Sequence, residues 1–422
     1  MSLQTVPATA SAAARQAVAF AEPRALPARP VTPRRADARP VVDMADLEPY
    51  ASDRRIVSAA RHGRMVRVGW DDGEVASFPA LWLRSECACR ACRNHVTLER
   101  TFDHFRLPPE LKPAAVELTG NGALRLVWPY DDHVSLFDPG WLWSKSRPAA
   151  ETPAPAPWGA ELAGKVPTFE HAAIMADDRA LHAWLVALRD VGLALLRGVP
   201  GATGEVERVA RRIALPRDTN FGLIFDVINK VDGNSNAYTT IELPGHVDLV
   251  SREYLPGFQL FHCLENQAAG GESTYVDGFK VAEHLRREEP KTFKLLCETP
   301  IRFRFHDQLS DYVWRAPVIG LGSKGELREI RFNPWLTEPL DVEPRRFTAI
   351  YGALRRFDEL GADPRFQIRV RLDAGTMSAF DNRRILHGRA AFDESGGRRH
   401  FQGCYVEREE IANRIRVLER AL

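Results

Sequence analysis

The chain has 422 residues, of which 57 are Lys or Arg and 56 are Asp or Glu, so its formal net charge is +1. This length exceeds what one hydrophobic core usually fills, and it predicts two domains. The balanced charge provides no field for nucleic acid, and no apolar run approaches the about 18 residues that span a bilayer. We therefore expect neither a nucleic-acid partner nor a membrane partner.

The first segment, residues 1–50, is rich in Ala, Pro and Arg and contains few acidic side chains. Pro27, Pro30, Pro33 and Pro40 block regular structure, so we expect a disordered extension. An organelle transit peptide is the alternative, because such peptides are Arg-rich and poor in acids. The segment lacks their sustained amphipathic pattern, and we expect a cytoplasmic protein.

A small β-rich domain is expected over residues 51–145. Three of the six cysteines crowd together here, at Cys87, Cys89 and Cys92. Thiolates at this spacing can bind one tetrahedral zinc ion together with a fourth ligand, and His95 is the nearest candidate by spacing. Free buried thiols are the alternative. The pattern predicts a structural zinc site in a reducing compartment.

A linker rich in Pro and Ala over 146–160 leads into a second domain over 161–422. Hydrophobic periodicity predicts helices at 181–188, 278–287, 290–298 and 345–360, and strands at 258–262, 301–305, 329–332, 366–372 and 377–380. Many short strands with a few flanking helices are typical of a mainly β fold, the double-stranded β-helix of the jelly-roll class. An apolar helical stripe at Ile411, Ile415, Leu418 and Leu422 is expected to pack within the chain or in a dimer.

Three residues of this domain suggest a metal centre. His246 and Asp248 stand at positions i and i+2, so in an extended segment both side chains point to one face. His387 ends a short apolar run, and Arg399 opens another extended segment beyond the 396–397 glycine turn. Two histidines and one carboxylate form the facial triad of non-heme Fe(II) oxygenases. We expect His387 and Arg399 to share one end of a small sheet, with the arginine binding a carboxylate beside the metal.

Five strings carry a family resemblance: NAYT at 236–239, HVDL at 246–249, GGES at 270–273, VDGF at 276–279 and FDNRRILHGR at 380–389. In this order they resemble the γ-butyrobetaine dioxygenase family of taurine-dioxygenase-like oxygenases, over roughly residues 55–420. The resemblance implies Fe(II) at the triad, 2-oxoglutarate as cosubstrate, ascorbate as reductant and dioxygen as the oxidant. It also implies a homodimer.

The same resemblance assigns residues around the iron and the zinc. It implies that Arg399 binds the far carboxylate of 2-oxoglutarate through its planar guanidinium, with Ser273 near the cosubstrate. Arg389 is the alternative for the arginine role. For zinc, the resemblance favours His133 over His95 as the fourth ligand.

The residues implied for substrate binding form an aromatic cage, since a quaternary ammonium is held by aromatic faces. Its positions fall on Phe221, Phe225, Tyr238 and Tyr405, while Asn333 and Ser235 fall where the substrate carboxylate is bound. The implied reaction is hydroxylation of γ-butyrobetaine to L-carnitine with release of succinate and CO2. Trimethyllysine or a trimethylammonium phosphonate is the alternative substrate, and a non-catalytic zinc-bearing adaptor is the alternative of another class.

Overall fold

The computed structural model describes residues 44–47, 50, 52–94, 96–147, 155–229 and 236–422. The chain divides into two compact units, Met1–Ala149 and Ala150–Leu422. Their boundary falls within the linker expected at 146–160, and residues 148–154 of that linker lie outside the described residues, as do residues 1–43 of the expected extension. Met44 is buried in the core of the first unit, so this core begins before the expected boundary at residue 51.

The first unit is built from short strands and helices. Its strands are β1 (Ile56–His62), β2 (Met65–Trp70), β3 (Val75–Pro79), β4 (Ala115–Leu118), β5 (Leu124–Trp128) and β6 (His133–Phe137), and its helices are α1 (Met44–Leu47), α2 (Ala80–Ser85) and α3 (Pro139–Lys145). The strands form two antiparallel sheets in the orders β1-β2-β3 and β4-β5-β6. Trp70, Trp128 and Phe137 are among the side chains that fill its core.

The second unit is mainly β with flanking helices, which confirms the sequence prediction. Its strands are β7 (Thr168–Glu170), β8 (Leu193–Arg197), β9 (Phe225–Val227), β10 (Leu243–His246), β11 (Phe258–Asn266), β12 (Ala269–Gly270), β13 (Ser273–Asp277), β14 (Ile301–His306), β15 (Asp311–Ala316), β16 (Ile319–Leu321), β17 (Leu327–Ile330), β18 (Gln367–Val370), β19 (Met377–Asp381), β20 (Ile385–Arg389), β21 (Phe392–Asp393) and β22 (Arg399–Val406). Its helices are α4 (His171–Ala176), α5 (Asp178–Val191), α6 (Glu205–Ala210), α7 (Gly278–Glu288), α8 (Pro290–Glu298), α9 (Pro344–Ala362) and α10 (Arg408–Glu419).

Two sheets dominate this unit, one in the order β7-β8-β19-β11-β22-β9 and one in the order β10-β20-β13-β18. Side chains from both sheets, such as Leu193, Tyr275 and Phe380, pack into one cluster between them. The expectation that His387 and Arg399 share a sheet is wrong, because β20 belongs to the four-stranded sheet and β22 to the six-stranded sheet. The chain crosses between the sheets after β19, so the run 380–389 is not one extended segment.

Helices cover the outer faces of these sheets. Helix α5 carries Leu181, Leu185 and Leu188 on its buried face, at the spacing of a core-facing helix. Ile411, Ile415 and Leu418 of α10 lie in the same cluster, so these three residues of the C-terminal stripe pack within the chain, whereas Leu422 is exposed. Among the described residues, no helix is both long and apolar enough to cross a bilayer.

A buried ion pair joins the turn between β19 and β20 to the rest of this unit. Arg384 donates from Nη2 to Asp277 Oδ2 at 2.7 Å and from Nε to Oδ1 at 3.1 Å, and both side chains are almost completely buried. The Asp277 carboxylate also accepts the backbone N–H groups of Trp158 and Phe279, while the guanidinium donates to the carbonyl of Asp190. One pair thereby fixes the start of α7, the end of α5 and the turn that leads into β20.

Replacing Asp277 by Asn should lower the free energy of unfolding by about 3 to 5 kcal/mol, because Arg384 would keep a buried charge without its counter-ion. Urea denaturation followed by circular dichroism measures the change. Asp311→Asn is the matched control, since Asp311 forms a similar two-bond pair with Arg304 at the surface. Equal losses of unfolding free energy in the two variants would show that the buried pair stabilises the protein no more than the surface pair does.

His262 predicts a pH dependence of stability. It is fully buried in β11, neither ring nitrogen has a partner among the described residues, and burial lowers its pKa to about 4. Between pH 6.5 and 4 the unfolded chain binds a proton that the folded chain does not, so the stability that this group contributes is lost as the pH falls. The decline in unfolding free energy across this window should be shallower in His262→Phe, measured by urea denaturation at several pH values; equal slopes would refute the prediction.

Candidate active site

The triad predicted from sequence comes together at one end of the four-stranded sheet. His246 ends β10 and pairs across the ladder with His387 of β20, while Asp248 follows two residues after His246. Asp248 lies 3.4 Å from His246 Nε2 through Oδ1 and 3.5 Å from His387 Nε2 through Oδ2. The three ligand atoms are within 4.8 Å of one another, which is close enough for one metal ion.

The backbone after His246 is held in a tight turn that aims the carboxylate at the histidines. Leu249 has a φ of 58°, a conformation that is uncommon for a residue with a side chain and costs free energy. Asn382 compensates by binding both backbone groups of Asp248, with its Oδ1 accepting the N–H at 2.9 Å and its Nδ2 donating to the carbonyl at 3.2 Å. The N–H of Val247 donates to the carbonyl of Phe332 at 2.8 Å. The strained turn is therefore held from two sides.

The charges of the triad suit a divalent cation. His246 Nδ1 lies 2.9 Å from the carbonyl of Pro244, which places the ring proton there and leaves the Nε2 lone pair facing Asp248. Burial lowers the pKa of His387, and although burial alone would raise the pKa of Asp248, the two histidines hold it well below its usual range. Tyr405 stays a neutral phenol, because burial and Asp248 raise its pKa, and it donates to Asp248 at 2.8 Å. The donor set is thus one carboxylate and two imidazoles.

A cavity opens beside the triad, lined by apolar and aromatic side chains with a few polar groups among them, as is usual for a small-molecule site. Nine of the predicted residues line it: Phe221, Phe225, Tyr238, His246, Asp248, Ser273, His387, Arg399 and Tyr405. Of the remaining two substrate positions, Asn333 is not among the lining residues and Ser235 lies outside the described residues.

The two candidate arginines differ in what their guanidinium groups contact. Arg399 is buried and makes no hydrogen bond or ion pair with any described residue, although it lies over the rings of Phe401 and Phe392 at 4.1 and 5.3 Å. Burial lowers its pKa to about 10, so it remains a cation at neutral pH. Arg389 is also buried, but backbone carbonyl groups already occupy its terminal nitrogens. Arg399 is therefore the cation that a bound carboxylate can pair with.

Aromatic side chains form the other part of the cavity wall. Phe225 stacks on Tyr405 with 5.2 Å between ring centroids, and Phe221 meets Phe305 edge to face at 5.5 Å. Tyr238 is buried in the short 3-10 turn Asn236–Tyr238 and also lines the cavity. Their faces can attract a cation that cannot donate a hydrogen bond.

Asn333 uses most of its carboxamide within its own loop. Its Oδ1 accepts the backbone N–H groups of Trp335 and Leu336 and so caps a 3-10 turn, while its Nδ2 lies 3.4 Å from the carbonyl of Val247. The second Nδ2 hydrogen is the one donor left for a ligand.

Strand residues that sequence reasoning missed also line the cavity, among them Gln259, Phe261, Tyr275 and Phe380. Gln259 and Phe261 alternate along β11 and therefore share a face of the six-stranded sheet. The Gln259 Oε1 is buried without a hydrogen-bond partner among the described residues. A buried polar residue in an apolar strand was the available signal, since such a group usually needs a partner.

A second group of candidate metal ligands lies in the first unit. Cys87, Cys89, Cys92 and His133 place their ligand atoms within 4.8 Å of one another. His133 Nε2 lies 3.2, 3.7 and 3.5 Å from the three sulfur atoms in that order. Tetrahedral zinc would set sulfur and nitrogen about 3.5 Å apart, so these positions fit zinc. The alternative ligand His95 lies outside the described residues.

Arg84 supports the cysteine cluster from the side. Its Nη1 donates to Cys92 Sγ at 3.3 Å, and the same guanidinium pairs with Asp131. The hydrogen bond from Cys87 lowers the pKa of the Cys92 thiol, and Arg84 adds to this effect. The lowered pKa favours the thiolate at Cys92, which is the form that binds metal. In the absence of a metal, the hydrogen bond with Cys92 and burial raise the pKa of Cys87 to about 11, and burial raises the pKa of Cys89.

The chain matches two protein-family models. Residues 147–405 match the family described as "Taurine catabolism dioxygenase TauD, TfdA family", and residues 57–143 match the model described as "Gamma-butyrobetaine hydroxylase-like, N-terminal". The first match covers the whole cavity and the second covers the cysteine cluster.

Similar proteins extend over nearly the full chain. A γ-butyrobetaine dioxygenase of Pseudomonas sp. (strain AK-1) is 46% identical over 384 residues, which are 89% of this chain and 100% of that protein. The γ-butyrobetaine dioxygenase of Homo sapiens is 30% identical, over 84% of this chain and 94% of that protein. The mitochondrial trimethyllysine dioxygenase of Homo sapiens is also 30% identical, over 82% and 83%. These similarities confirm the resemblance inferred from the motifs, and the chain belongs to the TauD/TfdA dioxygenase family, in the branch that includes the γ-butyrobetaine dioxygenases.

Proposed function

We propose that this protein is an Fe(II)- and 2-oxoglutarate-dependent dioxygenase that hydroxylates γ-butyrobetaine to L-carnitine, with release of succinate and CO2. One observation carries the proposal: the three candidate metal ligands and the buried guanidinium of Arg399, which pairs with no described residue, line the same cavity. The two γ-butyrobetaine dioxygenases among the similar proteins support this substrate.

His246, Asp248 and His387 would hold Fe(II), since their donor set leaves other metal positions open for ligands. The chemistry that Fe(II) supplies when bound is the activation of dioxygen, one oxygen atom of which goes to the substrate and the other to succinate. Tyr405 keeps Asp248 in place by donating to Oδ2, so the other carboxylate oxygen faces His246. Ascorbate is the proposed reductant.

Arg399 would bind the far carboxylate of 2-oxoglutarate. A buried cation without a counter-ion is costly, and a carboxylate that docks against it removes this cost. Ser273 lies at the start of β13 and lines the same cavity, where its hydroxyl can donate to the cosubstrate. Because Arg399 and the triad stand on different sheets, one molecule of 2-oxoglutarate would bridge the two sheets.

The trimethylammonium group would lie among Phe221, Phe225, Tyr238 and Tyr405. Each desolvated contact of a cation with an aromatic face contributes about 2 kcal/mol or more, while these side chains exclude water from the reacting carbon. For the substrate carboxylate, both Asn333, which is not among the residues that line the cavity, and Ser235 are proposed from the family resemblance alone.

The wider architecture is also part of the proposal. The two facing sheets support a double-stranded β-helix catalytic domain, and the Cys3His cluster supports a zinc-binding N-terminal domain. A cytoplasmic location suits thiolates that must stay reduced. The homodimer rests on the family resemblance, because Ile411, Ile415 and Leu418 of the C-terminal stripe, which could have served a dimer, pack within the chain.

The direct test is succinate formation by the purified protein with Fe(II), ascorbate and 2-oxoglutarate. Substrates are γ-butyrobetaine, trimethyllysine, a trimethylammonium phosphonate, and an isostere of γ-butyrobetaine with carbon in place of the quaternary nitrogen. We expect strong stimulation by γ-butyrobetaine, carnitine as product, little response to the isostere, and no turnover by His387→Ala. A preference for trimethyllysine or the phosphonate would overturn the substrate but keep the chemistry, and no turnover with any of them would favour a non-catalytic adaptor.

Arg399→Met should raise the KM for 2-oxoglutarate by roughly 30-fold or more, the factor that corresponds to about 2 kcal/mol of lost binding. The variant loses the guanidinium that would pair with the far carboxylate. Initial rates across a 2-oxoglutarate series measure the change. Arg371→Met is the matched control, because Arg371 lies on a neighbouring segment and does not line the cavity; a KM in Arg399→Met no higher than in this control would contradict the assignment.

His133→Ala should lose the proposed zinc, whereas His95→Ala should keep it. Three thiolates alone leave the fourth tetrahedral position open, which weakens binding and the folding that depends on it. Elemental analysis of the purified variants gives zinc per chain, and thermal unfolding of the N-terminal unit gives the stability change. The reverse result would make His95 the ligand.

A further inference from the structure

We propose that Arg389 is a positioning residue for the substrate, which fixes the segment 236–241 and thereby holds Tyr238 against the cavity. The inference rests on the proposed function, in which Tyr238 belongs to the cage for the trimethylammonium group. It gives Arg389 a role distinct from that of Arg399, although the two arginines lie ten residues apart and line the same cavity.

The first observation is the direction of the Arg389 hydrogen bonds. Its Nη1 donates to the carbonyl of Ala237 at 3.3 Å, and its Nη2 donates to the carbonyls of Thr239 and Ile241, both at 2.7 Å. Three alternate carbonyl groups of one short segment therefore converge on a single guanidinium. The two residues on either side of Tyr238 are both held in this way.

The second observation is where the held segment leads. It runs directly into β10, where Leu243 pairs with Arg389 itself and His246 pairs with His387. The backbone of Arg389 thus sets the register of β10, while its side chain sets the segment before β10. The distance between Tyr238 and the triad depends on both.

The third observation is the rigidity of the guanidinium. Arg389 is 5% exposed, and its guanidinium carbon lies 4.6 Å from the ring centroid of Phe392. The guanidinium carbon of Arg399 lies 5.3 Å from the same centroid. The backbone N–H of Phe392 donates to the carbonyl of Thr240 at 3.2 Å, so Phe392 contacts both Arg389 and the segment 236–241. A buried, stacked guanidinium presents its donors in one plane, which a lysine ammonium cannot reproduce.

The division of roles follows from these contacts. A ligand carboxylate that bound Arg389 would have to displace three backbone carbonyls that already accept hydrogen bonds from its terminal nitrogens. Arg399 lines the same cavity and has no such partners among the described residues. Loss of Arg389 should therefore loosen Tyr238 and the substrate, and it should leave the cosubstrate site largely unchanged.

The test compares Arg389→Met and Arg389→Lys with the control Arg371→Met. Arg371 is a matched control because it also donates to three backbone carbonyls, those of Asn266, Ala268 and Gly270, but it does not line the cavity. Amide hydrogen exchange of the peptide 236–243 reports on the segment without any need for turnover. Kinetics report KM for γ-butyrobetaine, KM for 2-oxoglutarate, and the fraction of succinate that forms without carnitine.

We expect faster exchange of peptide 236–243 in Arg389→Met but not in Arg371→Met. The KM for γ-butyrobetaine should rise about tenfold, the factor for about 1.4 kcal/mol, while the KM for 2-oxoglutarate changes less than about twofold. More succinate should form without carnitine, and Arg389→Lys should restore part of each effect and remain folded if Arg389→Met does not.

Two results would overturn the proposal. Unchanged exchange of peptide 236–243 in both Arg389 variants would show that the guanidinium does not hold the segment. A rise confined to the KM for 2-oxoglutarate would place Arg389 in the cosubstrate site. Failure of the proposed function is distinguishable, because it would appear as a wild-type protein that γ-butyrobetaine does not stimulate, whatever the exchange data show.

Discussion

The buried pair between Asp277 and Arg384 is the interaction on which the arrangement of the second unit depends. The chain leaves the six-stranded sheet after β19 and enters the four-stranded sheet at β20, and Arg384 stands at this crossing. A buried cation there must have its counter-ion, which fixes the crossing relative to α7 and the end of α5. His387 follows three residues after Arg384, so the buried pair also fixes where this residue of the triad lies.

The triad, Arg399 and Arg389 differ in charge and in whether their polar groups already have partners. The triad is a carboxylate between two imidazoles. Arg399 is a cation that pairs with no residue in the described part of the chain, and Arg389 is a cation whose terminal nitrogens donate to backbone carbonyls. Burial and neighbouring groups set these three states. Residue type alone does not, since the same side chains are also common on protein surfaces. An anionic ligand would therefore bind at Arg399, and a metal held by the triad would lie at the opposite end of the cavity.

The aromatic wall complements this charge pattern. A substrate with a permanent cation and a carboxylate finds aromatic faces for the first group and few donors for the second, because Asn333 is largely used as a cap. Selection among trimethylammonium compounds would then depend on shape and on the position of Tyr238. Three carbonyls of the segment that carries Tyr238 accept hydrogen bonds from the one guanidinium of Arg389.

Local patterns in the sequence determined the residue types of both metal groups, the main helices and the family. These features can be predicted from the sequence because a His-x-Asp pair, a cysteine cluster and a 3.6-residue period each depend on only a few neighbouring residues. Only the tertiary structure decided which arginine lacks a partner, that His387 and Arg399 stand on different sheets, and that Gln259 faces the cavity. Those facts depend on contacts between segments more than a hundred residues apart and on the crossing at Arg384, where packing and burial of charge outweigh local preference.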